Sequence, residues 1–531
     1  MSSIHLRNVG FEYDAPYKSV FNDLNLVIDT LWRTGLVGRN GQGKSTLLGL
    51  LSGRLTPNSG HIEISERTLY FPARVSEPSL DVRTVISNAV APFIDWALEM
   101  SACIERGKPD DLERYAVLQE QYQLLGGYEI VANIEREWAT IGMARDLLDR
   151  PFETLSGGER TRALLIALFV TGGVFPLIDE PTNHLDAEGR AQVADYLASK
   201  DGFLLVSHDR DFLDRAIDHV VAINKSDIVV NRGNYSLWRK HMNEVELHET
   251  RTRDNIKREV RQLKRAAQQR RQGSASREAE KYKSAYANPP AMIDRGHVGR
   301  TAAKQMKRAL ATERRIDKRL DEKETLLRNQ EKGYELKIQT LDGGREQLLV
   351  ANNLQFGYDD RAIIDNVSLG VSQGDRIAVS GRNGSGKSTL LKLLAGELTC
   401  DSGVIAKPAH VSVSRAYQHP IWQSGDLRVW LREGGLEESR FRQIMGSFGV
   451  AGEVFDRPLE TFSQGQLKKV DLTRSMLTDA DILIWDEPLN YIDVLSREQI
   501  ETAIVDSGPT MIFVEHDGRF VDNIATELIE L

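Results

Sequence analysis

The sequence predicts two α/β domains joined by a long helical linker, and three observations support this prediction. A glycine-rich loop of the form G-x-x-x-x-G-K-[ST], which is typical of phosphate-binding loops, occurs twice, at residues 38–45 and 381–388. The segments around the two loops repeat in the same order along the chain. Between the repeats, residues 241–340 have a different, basic composition. A chain of 531 residues can hold two or more domains, each with its own core.

Each loop lies between an apolar strand and an apolar helix, which is the context that the pattern requires. Leu36 and Val37 precede the first loop, and Ile377 and Val379 precede the second. Backbone amides of such a loop surround phosphate oxygens, its lysine reaches the outer phosphates, and its hydroxyl binds Mg²⁺. The sequence therefore predicts two nucleotide-phosphate sites, each with a serine placed to bind Mg²⁺. The predicted nucleotide contacts are Gly38, Asn40, Gly41, Gly43, Lys44, Ser45 and Thr46 in the first loop, and Gly381, Asn383, Gly384, Gly386, Lys387, Ser388 and Thr389 in the second.

Four further pairs of segments repeat around the loops. One such carboxylate or histidine alone is more often structural than catalytic, but repetition at matching offsets favours a functional role. The pairs are Tyr13 and Tyr358 before the loops, residues 156–159 and 463–466 (Ser-Gly-Gly-Glu and Ser-Gln-Gly-Gln), residues 179–180 and 486–487 (Asp-Glu after an apolar strand), and His208 and His516 after a later strand.

Composition excludes several classes of protein. The chain contains no run of about 18 apolar residues, so we expect no membrane span. The N-terminus lacks a basic-then-apolar signal pattern. Cys103 and Cys400 lie in opposite halves without metal-ligand spacing, and we expect reduced thiols in a cytoplasmic protein.

The complete motif set resembles that of ATP-binding cassette domains, and it occurs twice. The resemblance implies an α/β core with an antiparallel β edge and a helical subdomain that carries the Ser-Gly-Gly-Glu signature. It also implies that the two cassettes of a monomer pair head to tail, so that each ATP lies between one phosphate loop and the opposite signature. The implied roles are water activation for Glu180 and Glu487, γ-phosphate contact for His208 and His516, Mg²⁺ binding for Ser45, Asp179, Ser388, Gln418 and Asp486, adenine stacking for Tyr13 and Tyr358, and contact with the opposite ATP for Ser156, Gly157, Gly158, Ser463, Gln464 and Gly465.

The two repeats depart from the family pattern in different places. Gln418 fits the hinge glutamine of the family, whereas Ala73 occupies that position in the first repeat. Pro176 removes a backbone donor from the strand before Asp179, and we expect a short or bulged strand there. The first repeat is also longer, and residues 90–135 predict one or two extra amphipathic helices, either an enlarged subdomain or an arm that contacts a partner.

We expect domains at residues 1–240 and 341–531, joined by a linker over residues 241–340. From residue 251 to residue 332 the linker has 24 Lys and Arg against 11 Asp and Glu, although the whole chain carries −9. Apolar residues at heptad spacing flank a broken segment at residues 273–300, which predicts an antiparallel coiled coil with a tip. One-signed charge on such a hairpin favours a polyphosphate surface, with binding that weakens as salt rises. The RNA-contact candidates are Tyr286, Arg295, His297, Arg300, Lys304, Lys307 and Arg308.

Two fused cassettes with a long basic linker resemble the ABC-F family, which binds ribosomes in the cytoplasm. Residues 294–308, 487–493 and 514–517 resemble its antibiotic-resistance branch, of the Lsa/Vga type. The resemblance implies a bacterial ribosome as partner, with rRNA and P-site tRNA as contacts. It also implies target protection, in which the ATP-bound form inserts its linker toward the peptidyl-transferase centre and displaces an antibiotic.

Three alternatives remain open from the sequence. A housekeeping ABC-F factor that acts on stalled ribosomes has the same fold and partner, and a resistance phenotype would separate the two. The ATPase subunit of a membrane transporter would need a separate permease chain. A DNA-associated cassette ATPase would carry its coiled coil inside a cassette and not between two of them.

Overall fold

The computed structural model describes residues 2–14, 17–183, 185–223, 228–248, 251–252, 255, 258, 261–262, 265, 336, 338, 347–358, 361–382 and 384–531. The chain divides into two compact units, one formed by Met1–Trp238 with Tyr334–Leu531 and the other by Arg239–Gly333. The first unit contains both sequence repeats. The predicted linker tip, the seven RNA-contact candidates and Asn383 lie outside the described residues.

The first repeat forms two sheets and a group of helices. A six-stranded sheet has the order β5-β6-β7-β3-β8-β9, in which only β9 runs antiparallel to its neighbour, and a three-stranded antiparallel sheet has the order β2-β1-β4. The elements are β1 (Ser3–Asp14), β2 (Tyr17–Asp29), β3 (Arg33–Gly38), α1 (Lys44–Leu51), β4 (Ser59–Ile64), β5 (Arg67–Phe71), α2 (Val82–Val90), α3 (Phe93–Arg106), α4 (Pro109–Leu124), α5 (Ile130–Thr140), α6 (Gly157–Val170), β6 (Val174–Asp179), α7 (Ala187–Ala198), β7 (Phe203–Val206), α8 (Arg210–Ala216), β8 (His219–Ile223) and β9 (Ile228–Arg232).

The second repeat has the same arrangement with shorter helices before its signature. Its strands form a parallel sheet of order β14-β15-β16-β12-β17 and an antiparallel sheet of order β11-β10-β13. After a helix α9 over residues 235–248, the elements are β10 (Gln347–Tyr358), β11 (Arg361–Ser372), β12 (Arg376–Ser380), α10 (Lys387–Leu394), β13 (Ser402–Ala406), β14 (Val413–Ala416), α11 (Leu427–Glu433), α12 (Glu438–Ser447), α13 (Gln464–Leu477), β15 (Ile482–Asp486), α14 (Val494–Ser507), β16 (Met511–Val514), α15 (Gly518–Ile524) and β17 (Glu527–Glu530).

The helix after each phosphate loop is buried in the core of its repeat. Leu47 and Leu48 of α1 are fully buried in a cluster that contains residues of both sheets of the first repeat. Leu390 and Leu391 of α10 occupy the same place in the second repeat. A helix that is apolar on nearly every side has to be covered on nearly every side, which explains the runs of leucine after each loop. The predicted α/β fold with an antiparallel edge and a helical subdomain is confirmed.

The prediction of a short or bulged strand at Pro176 is wrong. β6 has six residues and pairs with β5 in continuous register, with Pro176 opposite Leu69. Pairing of β6 with β7 begins only at Leu177, so the proline lies where the strand has one paired neighbour. The missing backbone donor therefore disturbs no ladder on the β7 side.

The extra length of the first repeat is helical. Residues 90–135 contain α3, α4 and the start of α5, and α3 packs against α4. Phe93 of α3 contacts Tyr122 of α4 edge to face, with ring centroids 5.2 Å apart. Aromatic packing of this kind fixes the two helices as a hairpin.

Candidate ATP sites

The first phosphate loop has the conformation that its glycines allow. Gly43 has φ 101° at the start of α1, where a Cβ atom would lie 2.7 Å from the ring of Phe21. The Lys44 ammonium donates to the carbonyl of Gly38 at 2.7 Å, so the loop curls around its own lysine. Burial lowers the pKa of Lys44. The loop leads into the N-terminus of α1, and the first amides of a helix, which have no partner within it, favour a phosphate together with the helix dipole.

The second phosphate loop repeats this geometry. Gly386 has φ 100° at the start of α10, and the Lys387 ammonium donates to the carbonyls of Gly381 at 2.8 Å and Arg382 at 2.9 Å. The agreement between the two loops follows from their sequence, since both need glycine at the residue before the lysine.

In the first repeat, Asp179, Glu180 and His208 converge beside the loop lysine. Together with Lys44 and Ser45, they line a cavity of about 540 Å³. Glu180 has φ 50°, a strained backbone conformation that points to a functional position. The His208 ring nitrogen Nε2 lies 3.3 Å from Oε1 of Glu180. Burial, reinforced by the charge of Asp179, raises the pKa of Glu180 to about 8.

In the second repeat, the corresponding glutamate is held by side-chain donors. Gln418 Nε2 donates to Glu487 Oε2 at 3.1 Å, and Asn490 Nδ2 donates to the same oxygen at 2.5 Å. His516 Nε2 lies 3.6 Å from Oε1. The close approach of His516 lowers the pKa of Glu487 to about 2, with the two amides acting in the same direction against burial. The two sites are therefore chemically different, although both glutamates have positive φ.

Strand register places Ala73 and Gln418 at equivalent positions. Phe71 pairs with the residue before Asp179, and Ala416 pairs with the residue before Asp486, so each hinge residue follows two positions later. The structure shows a residue that the sequence reasoning missed. The Tyr70 hydroxyl donates to Asp179 Oδ2 at 2.7 Å. A tyrosine in a strand belongs to no motif of this family, so its contact with Asp179 becomes evident only from the pairing of β5 with β6.

The first phosphate loop faces the second cassette. The Asn40 side chain donates to the carbonyl of Tyr491 at 2.8 Å, and its backbone amide donates to Asp493 Oδ2 at 3.2 Å. A Cβ atom on Gly465, in the second signature, would lie 3.0 Å from Asn40 Nδ2. The Lys469 ammonium donates to the same Asp493 oxygen at 2.7 Å. Asp493 ends the repeated segment that begins with the acidic pair, whereas Lys469 was given no role from the sequence. Together they join this loop to the second signature helix.

The two signatures begin their helices in the same way. Ser156 and Ser463 cap α6 and α13, and each forms a reciprocal capping box with the residue three positions later. The first two residues of both signatures are exposed, whereas the third is half-buried at Gly158 and buried at Gly465. The pairing of the first signature with Lys387 remains a prediction.

The two aromatic residues predicted to stack on adenine are exposed beside their loops. Tyr13 and Tyr358 expose 39% and 47% of their surface. Each packs edge to face on the phenylalanine two residues earlier, with centroids 4.9 Å and 5.0 Å apart. The Tyr13 hydroxyl lies 3.1 Å from Thr46 Oγ1, which ties the ring to the loop. Both rings can accept a stacked base, and their role remains a prediction.

The acidic residues beside the loops fit a magnesium ion that is shared with a nucleotide. Asp486 Oδ1 is buried and accepts no hydrogen bond from the described part of the chain. Burial raises the pKa of Asp486, against the effect of the nearby Ser388 hydroxyl. Among the described residues, no group of three His, Cys, Asp or Glu side chains could hold a metal by itself. Mg²⁺ commonly binds one or two carboxylates together with substrate phosphates, so one aspartate and one serine per site fit this mode.

The described helices include none that is both long and apolar enough to cross a lipid bilayer.

Comparison with known proteins gives one family match and many relatives. The model of the ABC transporter family matches residues 21–183 and 364–490, together more than half of the chain. The ATP-binding protein YdiF of Bacillus subtilis (strain 168) is 29% identical over 97% of this chain and 78% of its own length. The ABC transporter F family member 2 of Arabidopsis thaliana is 26% identical over 100% of this chain and 76% of its own length.

A solved structure has a similar fold over the whole chain. It is the archaeal ribosome recycling factor aABCE1, in a crystal structure of its complex with the archaeal ribosomal stalk protein aP1. The TM-score is 0.57 at 19% identity, and the match covers 98% of this chain and 87% of that chain. The predictions of two ATP-binding cassettes and of ATPase activity are confirmed, whereas the Lsa/Vga assignment remains a prediction. Both repeats carry the family match, the phosphate loop and the acidic pair, and the chain therefore belongs to the ABC transporter family as an ATPase with two ATP-binding cassettes.

Proposed function

We propose that the chain is a cytoplasmic ATPase of the ABC-F type that binds the bacterial ribosome. Closure of its cassettes around ATP inserts the linker toward the peptidyl-transferase centre and displaces antibiotics bound there. ATP hydrolysis then opens the cassettes and releases the protein.

The observation that carries the proposal is a basic segment inserted between two cassettes that contact each other. Asn40 of the first loop already bonds Tyr491 and Asp493 of the second cassette. Because the basic segment is joined to one cassette at each end, a change in cassette separation acts on both of its ends. Its excess of 13 positive charges suits a polyanionic surface such as rRNA.

The relatives support a ribosomal partner. One relative is named as an ABC transporter F family member, and the similar solved structure is that of a ribosome recycling factor in complex with a ribosomal stalk protein. These properties belong to those proteins, and they support the same class of partner for this chain.

The chemistry of the proposed cycle uses the residues around each loop. Lys44 and Lys387 hold the outer phosphates, and Glu180 and Glu487 orient the attacking water. Asp179 with Ser45, and Asp486 with Ser388 and Gln418, would hold Mg²⁺, which would neutralise charge on the phosphates. Each γ-phosphate lies between a loop and the opposite signature, so its loss removes the bridge that keeps the cassettes closed.

The test uses a protein that binds ATP without turnover. The double variant Glu180→Gln with Glu487→Gln is sedimented with purified bacterial ribosomes, with and without ATP, across a salt series. We expect ATP-dependent co-sedimentation that falls steeply as salt rises. The control adds glutamine at the five candidate basic positions, Arg295, Arg300, Lys304, Lys307 and Arg308, and we expect weaker binding with a shallower salt slope. Absence of co-sedimentation at low salt would refute the ribosomal role.

Resistance and housekeeping are separated in cells. We expect expression of the wild-type chain to raise the inhibitory concentration of a drug that acts at the peptidyl-transferase centre, and the double glutamine variant not to do so. A chain that binds ribosomes and gives no protection against any such drug would favour the housekeeping role.

A further inference from the structure

The first ATP site has no hinge glutamine, and the structure shows what stands beside its acidic pair instead. Ala73 has no side-chain donor to offer Glu180, unlike Gln418 beside Glu487. Tyr70 lies three residues earlier on β5, and its hydroxyl donates to Asp179 Oδ2 at 2.7 Å.

Tyr70 is held in place on its other side. The Arg54 guanidinium lies 3.8 Å from the centre of the Tyr70 ring, as a stacked cation–π contact. Arg54 therefore holds the ring of Tyr70, and the hydrogen bond to Asp179 holds its hydroxyl. The same hydrogen bond restricts rotation of the Asp179 carboxylate.

The second cassette replaces both of these residues. Arg415 has the position in β14 that Tyr70 has in β5, because each pairs with the residue two positions before the aspartate of its site. Glu397 lies three residues after the end of α10, and Arg54 lies three residues after the end of α1. Arg415 and Glu397 form an ion pair with each other. The Tyr417 hydroxyl also donates to Glu397, at 3.1 Å, and not to Asp486. Asp486 therefore has no tyrosine donor among the described residues, and its side-chain hydrogen bond comes from Ser388 of the phosphate loop.

We propose that Tyr70 is a positioning residue of the first ATP site, which orients Asp179 for magnesium binding. In the second site the hinge glutamine supports the other acidic residue, Glu487. This inference rests on the assignment of Asp179 to Mg²⁺, and it is independent of any role at the ribosome. The two sites then hold the same ion through different supporting residues.

The size of the effect follows from known metal sites. Loss of a hydrogen-bonded partner behind a metal ligand weakens metal affinity by about 10–100-fold. Tyr70→Phe removes only the hydroxyl and keeps the ring against Arg54, so the strand and its packing should persist.

The test isolates the first site with Lys387→Ala, which disables the second phosphate loop. Binding of a fluorescent ATP analogue is titrated with Mg²⁺, with and without Tyr70→Phe. We expect the Mg²⁺ concentration for half-maximal binding to rise about tenfold, while the affinity without metal stays the same. Substituting Mn²⁺ for Mg²⁺ gives a second readout, since the electron paramagnetic resonance signal of bound Mn²⁺ should diminish at a fixed concentration.

The matched control is Tyr417→Phe with Lys44→Ala, which reports on the second site. This hydroxyl bonds Glu397, so the Mg²⁺ midpoint should not move. The proposal is overturned if Tyr70→Phe leaves the Mg²⁺ midpoint unchanged, or if it weakens metal-free and metal-bound nucleotide equally, which would mean a structural role. A thermal melt of each variant confirms that folded protein is compared.

Discussion

At the scale of single residues, buried charges join the catalytic segments of the two cassettes. Asp493 is fully buried, caps α14 through the amide of Ser496, and accepts from both Lys469 and the backbone of Asn40. Its pKa is lowered because Lys469 and the surrounding donors outweigh burial. One carboxylate therefore serves the signature helix, the segment after the acidic pair and the opposite phosphate loop.

Replacement of Lys469 by methionine should show how much its ion pair with Asp493 contributes to stability. The change keeps the volume but leaves a buried carboxylate without its cation, and we expect a loss of about 3 kcal/mol in the free energy of unfolding. Urea unfolding measures it. The matched control is Arg162→Met in the first cassette, because Arg162 is half-buried and bonds the neutral Gln192 at 2.7 Å. An equal loss of unfolding free energy in both variants would mean that the charge of Lys469 beside Asp493 contributes nothing specific.

At the scale of elements, each antiparallel sheet contains the same irregularity. Asn8 in β1 has φ 51°, and the pairing of β1 with β4 shifts register between Arg7 and Gly10. Gly60 of β4 lies against this bulge and has φ 81°, and a Cβ atom there would lie 2.3 Å from the carbonyl oxygen of Asn8. In the second cassette, Asn353 and Gly403 repeat the arrangement. A bulge that recurs in both repeats is part of the design of the sheet.

Gly60→Ala should destabilise the first cassette by more than about 2 kcal/mol, since strain at positive φ adds to a backbone clash. Gly53→Ala is the control, because Gly53 also has positive φ but no atom within 4 Å of the added Cβ. We expect the control to lose only about 1 kcal/mol. Thermal melting with and without nucleotide measures both, and similar losses would show that the clash is relieved by movement of β1.

Sequence reasoning predicted the elements that carry a repeated motif and missed those that depend on packing. The phosphate loops, the acidic pairs and the signature helices follow from local patterns, because their glycines, caps and apolar runs act within a few residues. Tyr70 and Lys469 gain their partners only when strands and helices from distant segments meet. The prediction at Pro176 was wrong because a missing backbone donor matters only where a neighbouring strand would accept its hydrogen bond. The order of the strands in a sheet cannot be inferred from residues near the proline.

At the scale of the whole molecule, an ion cluster joins the cassettes beside the two loops that carry His208 and His516. Arg210 follows His208 by two residues, is almost fully buried, and contacts Glu501 and Asp517 of the second cassette. Arg190 donates to the carbonyl of His516 at 3.1 Å and lies 3.4 Å from Asp209. The loops that carry the two histidines are thus tied to each other directly.

Arg210→Met should therefore weaken the contact between the two cassettes more than the loss of a solvent-exposed ion pair would. It leaves Glu501 buried beside an apolar side chain, which costs about 3 kcal/mol. Distance measurements between fluorophores on the two cassettes should show a larger mean separation and a higher ATP concentration for closure. The control is Arg519→Gln, because the Arg519 side chain is 33% exposed and its partner Asp211 is 49% exposed. Its effect should stay below about 1 kcal/mol.

Acid provides a separate check on the same cluster. Burial alone would raise the pKa of Asp517, but Arg497 and Arg210 outweigh it and the pKa is lowered from its ordinary value of 3.8. Stabilisation from a carboxylate with a lowered pKa is complete above its unfolded value and disappears as the pH falls through the folded value. The difference in closure between the wild type and Arg210→Met should hence be constant above about pH 5 and shrink below about pH 4. A pH titration of the fluorophore distance measures this, and a difference that persists unchanged at pH 3 would mean that Arg210 acts through packing and not through its charge.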